Sequence, residues 1–192
     1  GINYDSLPDE QYDSIMGQST GAAVIFGATG GVMEAALRTV YEIVTGREIP
    51  FENLNVLSVR GMEGVRSASL KITGAKPEYS FLENVTINVA VAHGLSNAAL
   101  LMDEVIKGKS QYHFIEVMAC PGGCIGGGGQ PIPTNFNIRS KRAEAIYVAD
   151  MNLPIRKSHE NPEVIALYKE FLKEPLGHKS HELLHTRYIS RQ

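Results

Sequence analysis

Only two cysteines occur in this chain of 192 residues, and their spacing and surroundings suit a metal site. Cys120 and Cys124 lie four residues apart, and six of the eight residues from 122 to 129 are glycine. So many glycines are costly in conformational entropy, and they make physical sense where a bulky group must lie against the backbone. Thiolates bind soft metals and iron–sulfur clusters, and backbone N–H groups can donate hydrogen bonds to cluster sulfurs. The loop is therefore a candidate cluster site.

Other interpretations of the two cysteines stay open at this point. They could be structural thiols that bind nothing. A redox disulfide usually has the closer spacing Cys-x-x-Cys, and structural zinc needs four ligands, for which His93 and His113 are wrongly spaced. A radical-SAM cluster needs a third cysteine nearby. A 4Fe–4S cubane normally takes four cysteines, so we expect the other two ligands from an N-terminal half of the same protein or from a second polypeptide.

A second glycine-rich turn, Phe26 to Gly31, could form the opposite wall of the same pocket. Gly27, Gly30 and Gly31 allow the backbone to bend and to approach another group closely. A nucleotide-binding loop is a poor match because neither G-x-G-x-x-G nor Gly-Lys-Ser/Thr is present, and a plain tight turn is the simplest alternative. The apolar run before the turn predicts a strand. Both glycine loops would then lie at the carboxyl ends of strands, where α/β folds place their sites.

The C-terminal part carries a second group of possible ligands. His181 and His185 are four residues apart and could lie on one helical face as metal ligands. Surface histidines that pair with Glu160 and Glu182 are the simpler interpretation.

Composition and charge exclude several classes of partner. The formal net charge is -3, and no basic run is present, which argues against nucleic acid and against an anionic membrane surface. No apolar stretch approaches the roughly 20 residues that a membrane span needs. Because the N-terminus has neither an initiator Met nor a signal-peptide pattern, we expect a piece of a longer protein. A cytoplasmic location is the default expectation, with a periplasmic one possible.

The apolar pattern predicts an α/β fold with a mixed sheet, flanking helices and a helical C-terminal tail that wraps the domain. We expect a domain over residues 1–150, beginning with a polar surface arm over 1–20, and a tail over 151–192. Strands are predicted at 22–26, 54–59, 67–72, 84–92 and 112–118. Helices are predicted at 32–45, 97–106, 138–150 and 162–172, with a short helical turn at 181–185.

Taken together, these motifs resemble the C-terminal half of the catalytic domain of iron-only (FeFe) hydrogenases. The glycine turn lies in VIFGATGGVMEAALR at 24–38, and the cysteine loop lies in FIEVMACPGGC at 114–124, followed by GGGQP at 127–131. The segments RKSHEN at 156–161 and SHELLH at 180–185 also resemble the tail of that family, which in some members is a separate small subunit. The resemblance covers almost the whole chain.

The resemblance implies a cofactor and roles for particular residues. Members of the family interconvert protons, electrons and H2 at an H-cluster, which is a 4Fe–4S cubane joined to a two-iron subcluster with CO, cyanide and azadithiolate ligands. By the motif, Cys120 would bind the cubane, and Cys124 would bind the cubane and bridge it to the two irons. Met118 and Phe26 would line the apolar pocket over the two-iron unit, and Gly27, Gly30 and Gly31 would form the wall beside the cofactor.

The resemblance also implies partners and a rival function. Two further cubane cysteines, a proton-relay cysteine and a cyanide-binding lysine belong to an upstream stretch of the family's domain. The chain should therefore need an N-terminal half for activity, and a ferredoxin-type protein would exchange electrons with the complete enzyme. The rival is a relative that holds a cluster without turning over H2, such as a sensory protein or a cytosolic iron–sulfur assembly protein. Met118 and the complete glycine turn favour the enzyme.

Overall fold

The computed structural model describes residues 1–11, 13 and 16–190. The chain divides into two compact units, one formed by Thr20–His159 and the other by Gly1–Ser19 together with Glu160–Gln192. The predicted division into a domain over residues 1–150 and a C-terminal tail over 151–192 stays a prediction.

A three-stranded mixed sheet forms the centre of the first unit, in the order β1-β2-β3. Strand β1 (Val65–Lys71) pairs antiparallel with β2 (Thr86–His93), and β2 pairs parallel with β3 (Phe114–Met118). Strand β2 is central, and Val89 to Ala92 are buried because both neighbouring strands and the adjoining helices cover them. The parallel pair is joined by helix α3 (Leu95–Ile106), as a parallel connection requires. The predicted α/β class and mixed sheet are confirmed.

Three further α-helices belong to this unit, which also contains short 3-10 helices: α1 (Gly21–Ile25), α2 (Gly31–Thr45) and α4 (Phe136–Asn152). Helix α2 presents an apolar face at Met33, Leu37, Tyr41 and Val44, and these side chains are buried in the main core. Gly46 ends the helix with a left-handed backbone (φ 70°). The predicted helices at 32–45, 97–106 and 138–150 therefore exist, with boundaries shifted by a few residues.

Two predicted strands are wrong. Residues 22–26 belong largely to α1, because the Thr20 hydroxyl accepts a hydrogen bond from the N–H of Ala23 and caps a helical turn. Residues 54–59 form parts of two one-turn 3-10 helices, Glu52–Leu54 and Leu57–Val59, and join no sheet among the described residues. Consequently the glycine turn follows a helix, and only the cysteine loop lies at the carboxyl end of a strand.

The second unit contains helix α5 (Pro162–Leu167), a π-helical turn (Tyr168–Leu172) and helix α6 (His178–Leu184). The predicted helix at 162–172 is thus present with a change of winding, and the predicted turn at 181–185 begins earlier. The described residues of the predicted N-terminal arm are exposed up to Ser19, and residues 12, 14 and 15 lie outside the described residues. The side-chain amide of Asn161, which precedes α5, donates a hydrogen bond to the backbone carbonyl of Gln18 (2.8 Å).

Candidate metal-cluster site

The two cysteine thiols are free and exposed on the loop that follows β3. A strand end at Met118 and a 3-10 turn at Cys124–Gly126 bound the first part of this loop. The N–H of Gly123 donates to the carbonyl of Cys120 (3.0 Å), and the N–H of Gly127 donates to the carbonyl of Cys124 (3.1 Å). The local backbone therefore holds both cysteines in tight turns, with their side chains accessible to a ligand.

The glycine turn at 26–31 lies directly against this loop, although a helix precedes it. The N–H of Thr29 donates to the carbonyl of Gly122, and the N–H of Ile125 donates to the carbonyl of Gly27, each at 3.1 Å. A Cβ on Gly123 would lie 2.8 Å from the Gly27 oxygen and 2.9 Å from the Thr29 nitrogen. Gly123 also has φ 93°, which favours glycine. Close contact between the two backbones thus requires glycine at this position.

Gly30 and Gly31 serve the packing of the turn itself. A Cβ on Gly30 would lie 2.1 Å from the carbonyl oxygen of Val59, and one on Gly31 would lie 1.7 Å from that of Ile25. Both residues are buried. Their predicted role as cofactor contacts stays a prediction, whereas their role in bringing the chain segments together follows from these distances.

Glu116 connects β3 to the glycine turn. Its buried carboxylate accepts hydrogen bonds from the N–H of Gly30 (2.8 Å) and from that of Met33 (2.7 Å), at the N-terminus of α2. Burial raises the pKa of Glu116, and the two backbone N–H groups offset that effect in part. A carboxylate at a helix N-terminus is favourable because the free N–H groups there need acceptors. The strand that carries the cysteine loop is thereby fixed to the turn that supports it.

Two more side chains hold the cysteine loop. The Nε2 atom of His93 accepts from the N–H of Gly122 (3.3 Å), and burial lowers the pKa of this imidazole, which favours the neutral form that can accept. Arg142 on α4 donates to the carbonyl of Ile125 and to that of Pro131, each at 2.8 Å. These contacts position the loop from both of its ends.

A buried ionic network lies behind the turn. Arg38 is fully buried and donates to both carboxylate oxygens of Asp150 (2.9 and 2.8 Å) and to Glu34 (2.6 Å). Arg60 donates twice to Glu34, and Arg156 donates twice to Asp150. Burial alone would raise the pKa of Asp150, but the hydrogen bonds and charges of Arg38 and Arg156 hold it below the usual value. The network joins α2, α4 and the segment around residue 156.

A cavity of about 220 Å³ is lined by Arg60 of this network and by Gly122 of the cysteine loop. Arg60 lies on one side, with its guanidinium carbon 3.8 Å from the centre of the Tyr147 ring. The buried hydroxyls of Thr29 and Tyr147 have no hydrogen-bond partner within the described residues. Burial raises the pKa of the Tyr147 phenol, so it remains a neutral donor. The cavity beside the cysteine loop is therefore lined by several hydrogen-bond donors, namely the hydroxyls of Thr29 and Tyr147 and the guanidinium of Arg60.

The donor set fits an iron–sulfur cluster. Both free thiols are exposed, and Gly128 and Gly129 have open space where a Cβ would lie. A Cβ on Gly127 would lie 3.9 Å from the Sγ of Cys120, so this glycine leaves room beside the thiol. Within the described residues, the N–H groups of Gly128 and Gly129 have no protein acceptor and can donate to an anionic sulfur.

The remaining predicted residues lie on the margins of this site. Phe26 follows α1 and is 45% exposed, and Met118 is half-buried at the end of β3. The structure thus brings the two glycine loops together through hydrogen bonds, with the predicted apolar residues at the ends of the elements that lead into them. Sequence reasoning missed Glu116, although a carboxylate at an inward position of the apolar strand FIEVM is the signal that could have indicated it.

Comparison with known families matches two models along the chain. The model described as "Iron only hydrogenase large subunit, C-terminal domain" matches residues 1–128, and "Iron hydrogenase small subunit" matches residues 136–191. None of the helices in the described part of the chain is both long and apolar enough to cross a membrane.

Individual relatives agree with these matches. The NADP-reducing hydrogenase subunit HndD of Solidesulfovibrio fructosivorans is 49% identical over 195 residues, covering 100% of this chain and 31% of the relative. Iron hydrogenase 1 of Clostridium pasteurianum is 40% identical, with 97% of this chain and 31% of the relative covered. A variant of the FeFe hydrogenase HydA1 from Chlamydomonas reinhardtii superposes with a TM-score of 0.72 at 43% identity, covering 98% of this chain and 51% of that one. The chain thus spans about a third of the length of the first two relatives and about half of the HydA1 chain.

Proposed function

This chain belongs to the iron-only (FeFe) hydrogenase family, and we propose that it forms the C-terminal part of a hydrogenase catalytic domain and supplies two of the four cysteine ligands of its cubane. The observation that carries the proposal is the pair of free, exposed thiols at Cys120 and Cys124 on a glycine loop hydrogen-bonded to the second glycine turn. When bound, an H-cluster would supply the reversible conversion of protons and electrons into H2.

In this proposal, Cys120 would hold the cubane, and Cys124 would hold both the cubane and the two-iron unit. Each thiol loses its proton on binding iron. Gly127, Gly128 and Gly129 leave the space that a cluster needs, and the free N–H groups of the last two donate to its sulfurs. Such hydrogen bonds raise the reduction potential because they stabilise the more negative state.

In the proposed site, the apolar side chains of Phe26 and Met118 exclude water and bind no metal. Phe26 and Met118 line the side of the site that would face the two-iron unit, where they exclude water and protect diatomic ligands. Phe26 is 45% exposed in this chain, an exposure that fits a side chain covered by a cofactor and by the rest of the domain. The hydrogen bonds of Glu116, His93 and Arg142 fix the loop in advance, so that cluster binding does not have to order it.

The ligands that this chain does not supply would come from an N-terminal part, in the same or a separate polypeptide. A cubane takes four cysteines, and this chain has two. The relatives are about three times as long as this chain, which leaves room for that part. A ferredoxin-type protein would serve as the electron partner of the complete enzyme.

A chimera tests the proposal. The chain would replace the matching C-terminal region of the 49% identical relative, and the product would be loaded with iron and sulfide and then with a synthetic two-iron precursor. We expect H2 evolution from a reduced viologen dye. The variants Cys120→Ser and Cys124→Ser should each abolish it, while Ser67→Ala on the exposed part of β1 should retain it. A cubane signal without H2 evolution would instead indicate the cluster-holding relative, and absence of any cluster would refute the ligand assignment.

A further inference from the structure

We propose that His181 and His185 form a second metal site, which binds a borderline divalent transition metal ion such as Zn²⁺, Co²⁺, Ni²⁺ or Cu²⁺. The site lies in the second unit, and it shares no residue with the cysteine loop. It also does not depend on the proposed hydrogenase function, because all of its ligands belong to helix α6 and the residue that follows it.

The two imidazoles already converge in the structure. Their Nδ1 atoms are 2.8 Å apart, and the rings meet edge to face with centroids 4.3 Å apart. A tetrahedral ion with metal–nitrogen bonds of about 2.0–2.1 Å would hold two such nitrogens about 3.3 Å apart. Separation of the two nitrogens by a few tenths of an ångström, together with rotation of the exposed rings so that both lone pairs face one point, would convert the present hydrogen bond into a ligand pair.

Helix α6 is anchored so that the histidine face remains accessible. The hydroxyl of Ser180, which is buried, donates to the carbonyl of Glu174 (2.7 Å), and Lys179 lies with its Nζ 3.3 Å from the centre of the Phe171 ring. His181 and His185 are both exposed. The spacing of four residues places both rings on one side of the helix.

The same two rings line a cavity of about 530 Å³ together with His178, Glu182 and Arg187. His178 lies three residues before His181, on the same helical face, and can supply a third nitrogen after a change of rotamer. Glu182 offers a carboxylate, and its charge balances that of Arg187, so the wall of the cavity carries no net formal charge. Water can complete the coordination because the cavity is open to solvent.

The donor set selects the class of metal. Neutral imidazole suits zinc, copper and nickel, whereas magnesium and calcium require sites made of oxygen atoms. For a given nitrogen site, affinity rises from Co²⁺ through Ni²⁺ to Cu²⁺ and is lower again for Zn²⁺. We therefore expect Co²⁺ and Zn²⁺ to bind and Mg²⁺ to leave the site empty.

Titration of the whole chain with Co²⁺ tests the proposal, with Cys120 and Cys124 replaced by Ser so that thiolate binding cannot contribute. Thiolate-bound cobalt gives an intense near-ultraviolet band that imidazole-bound cobalt lacks, so the spectrum identifies the donor type. We expect one equivalent of Co²⁺ to bind with a visible d–d spectrum and no thiolate band. No saturable binding in this background would overturn the proposal.

Single substitutions locate the ligands. Loss of a residue that merely supports a ligand typically costs about 10–100-fold in metal affinity, so His181→Ala and His185→Ala should each weaken binding by at least about 100-fold. The matched control is Leu183→Ala, an exposed residue of the same helix, which should leave affinity within about twofold. Equal affinity in the two histidine variants and the control would refute the assignment.

Nitrogen NMR of the imidazoles provides a test that does not depend on any variant folding. The present hydrogen bond requires one ring to carry its proton on Nδ1, whereas metal binding at both Nδ1 atoms requires both rings to carry it on Nε2. Addition of Zn²⁺ should therefore convert the ring that now donates from Nδ1 to the Nε2–H tautomer and leave the accepting ring in that tautomer, with His113 unchanged as the internal reference. Unchanged tautomers at saturating Zn²⁺ would contradict the proposal.

Discussion

Replacement of Gly30 by alanine should destabilise the chain by more than the same change at Gly64, because only Gly30 packs against another backbone segment. Both glycines have a left-handed backbone, with φ 87° and 70°, so an alanine at either position pays a conformational cost of about 1–2 kcal/mol. At Gly64 the new methyl group would meet nothing within 4 Å. At Gly30 it would lie 2.1 Å from the carbonyl oxygen of Val59.

The size of the difference follows from that contact. Relief of the overlap requires a shift of about 1 Å between the glycine turn and Val59, and overpacking of this kind costs about 1–3 kcal/mol. We therefore expect Gly30→Ala to lower the free energy of unfolding by about 2–5 kcal/mol and Gly64→Ala by about 1–2 kcal/mol. Effects of the added methyl group on the unfolded chain are similar at both positions and cancel in the comparison.

Urea denaturation of the reduced chain, followed by far-ultraviolet circular dichroism, measures both losses. The slope of the unfolding free energy against urea should be the same for both variants, so that the midpoints report stability directly. Equal losses at the two positions would refute the inference that Gly30 is required by packing. The interpretation of this glycine would then return to backbone conformation or to contact with a cofactor.

Three further predictions concern the supports of the site. Arg38→Met should cost about 3–5 kcal/mol at neutral pH because two buried carboxylates each lose a partner, and a urea midpoint near that of the native chain would contradict this. Asp150 has a pKa below its usual value in the folded chain. The stability that it contributes is therefore present above its unfolded pKa and should be lost as the pH falls through its folded pKa. Asp150→Asn should reduce this loss of stability in acid, as measured by urea titrations at several pH values. Glu116 behaves in the opposite way, because its pKa is raised in the folded chain, which therefore holds the proton more tightly than the unfolded chain. The free energy of unfolding should decrease as the pH rises through the folded pKa, and Glu116→Gln should flatten this dependence on pH. A slope that persists in Glu116→Gln would assign it to another group.

The glycines of the cysteine loop allow structural and cofactor roles to be separated. Gly128→Ala should leave the unfolding free energy of the chain nearly unchanged, because a Cβ there meets nothing within 4 Å. In the chimeric enzyme the same change should reduce the iron content per protein if the open space is where the cluster lies. Undiminished iron loading would show that this space is not needed for the cluster.

The sequence predicted those parts of the fold that depend on local apolar periodicity. Helix α2 was predictable from Leu37 and Val44 and from its terminal glycine, and β2 from the alternation around Val89 and Val91. The segment at 22–26 was not, because five apolar residues fit a buried strand or a helical turn equally well and the Thr20 cap decides between them. The segment at 54–59 was misjudged because its backbone bonds to a residue distant in the sequence, which no local pattern shows. For example, the carbonyl of Leu54 accepts a hydrogen bond from the side chain of Arg38.

The candidate ligands of the site could be named from the sequence, whereas the residues that hold their loop in place could not. Cys120 and Cys124 follow from residue type, spacing and glycine context. The contact of Gly123 with Gly27 and Thr29, and the hydrogen bonds of Glu116, join residues more than 80 positions apart in the chain, and no local pattern encodes such pairs. The convergence of His181 and His185, by contrast, follows from helical spacing, and the structure adds the ring geometry.

Under the proposed function, Cys124 would hold the two-iron unit beside the cubane in a hydrogenase catalytic domain. Infrared spectroscopy tests it most directly, on the chimeric enzyme loaded with the two-iron precursor, with and without Cys124→Ser. We predict sharp protein-bound CO and cyanide bands in the unsubstituted chimera and their loss in the Cys124→Ser variant. Retention of the same bands in that variant would contradict the bridging role.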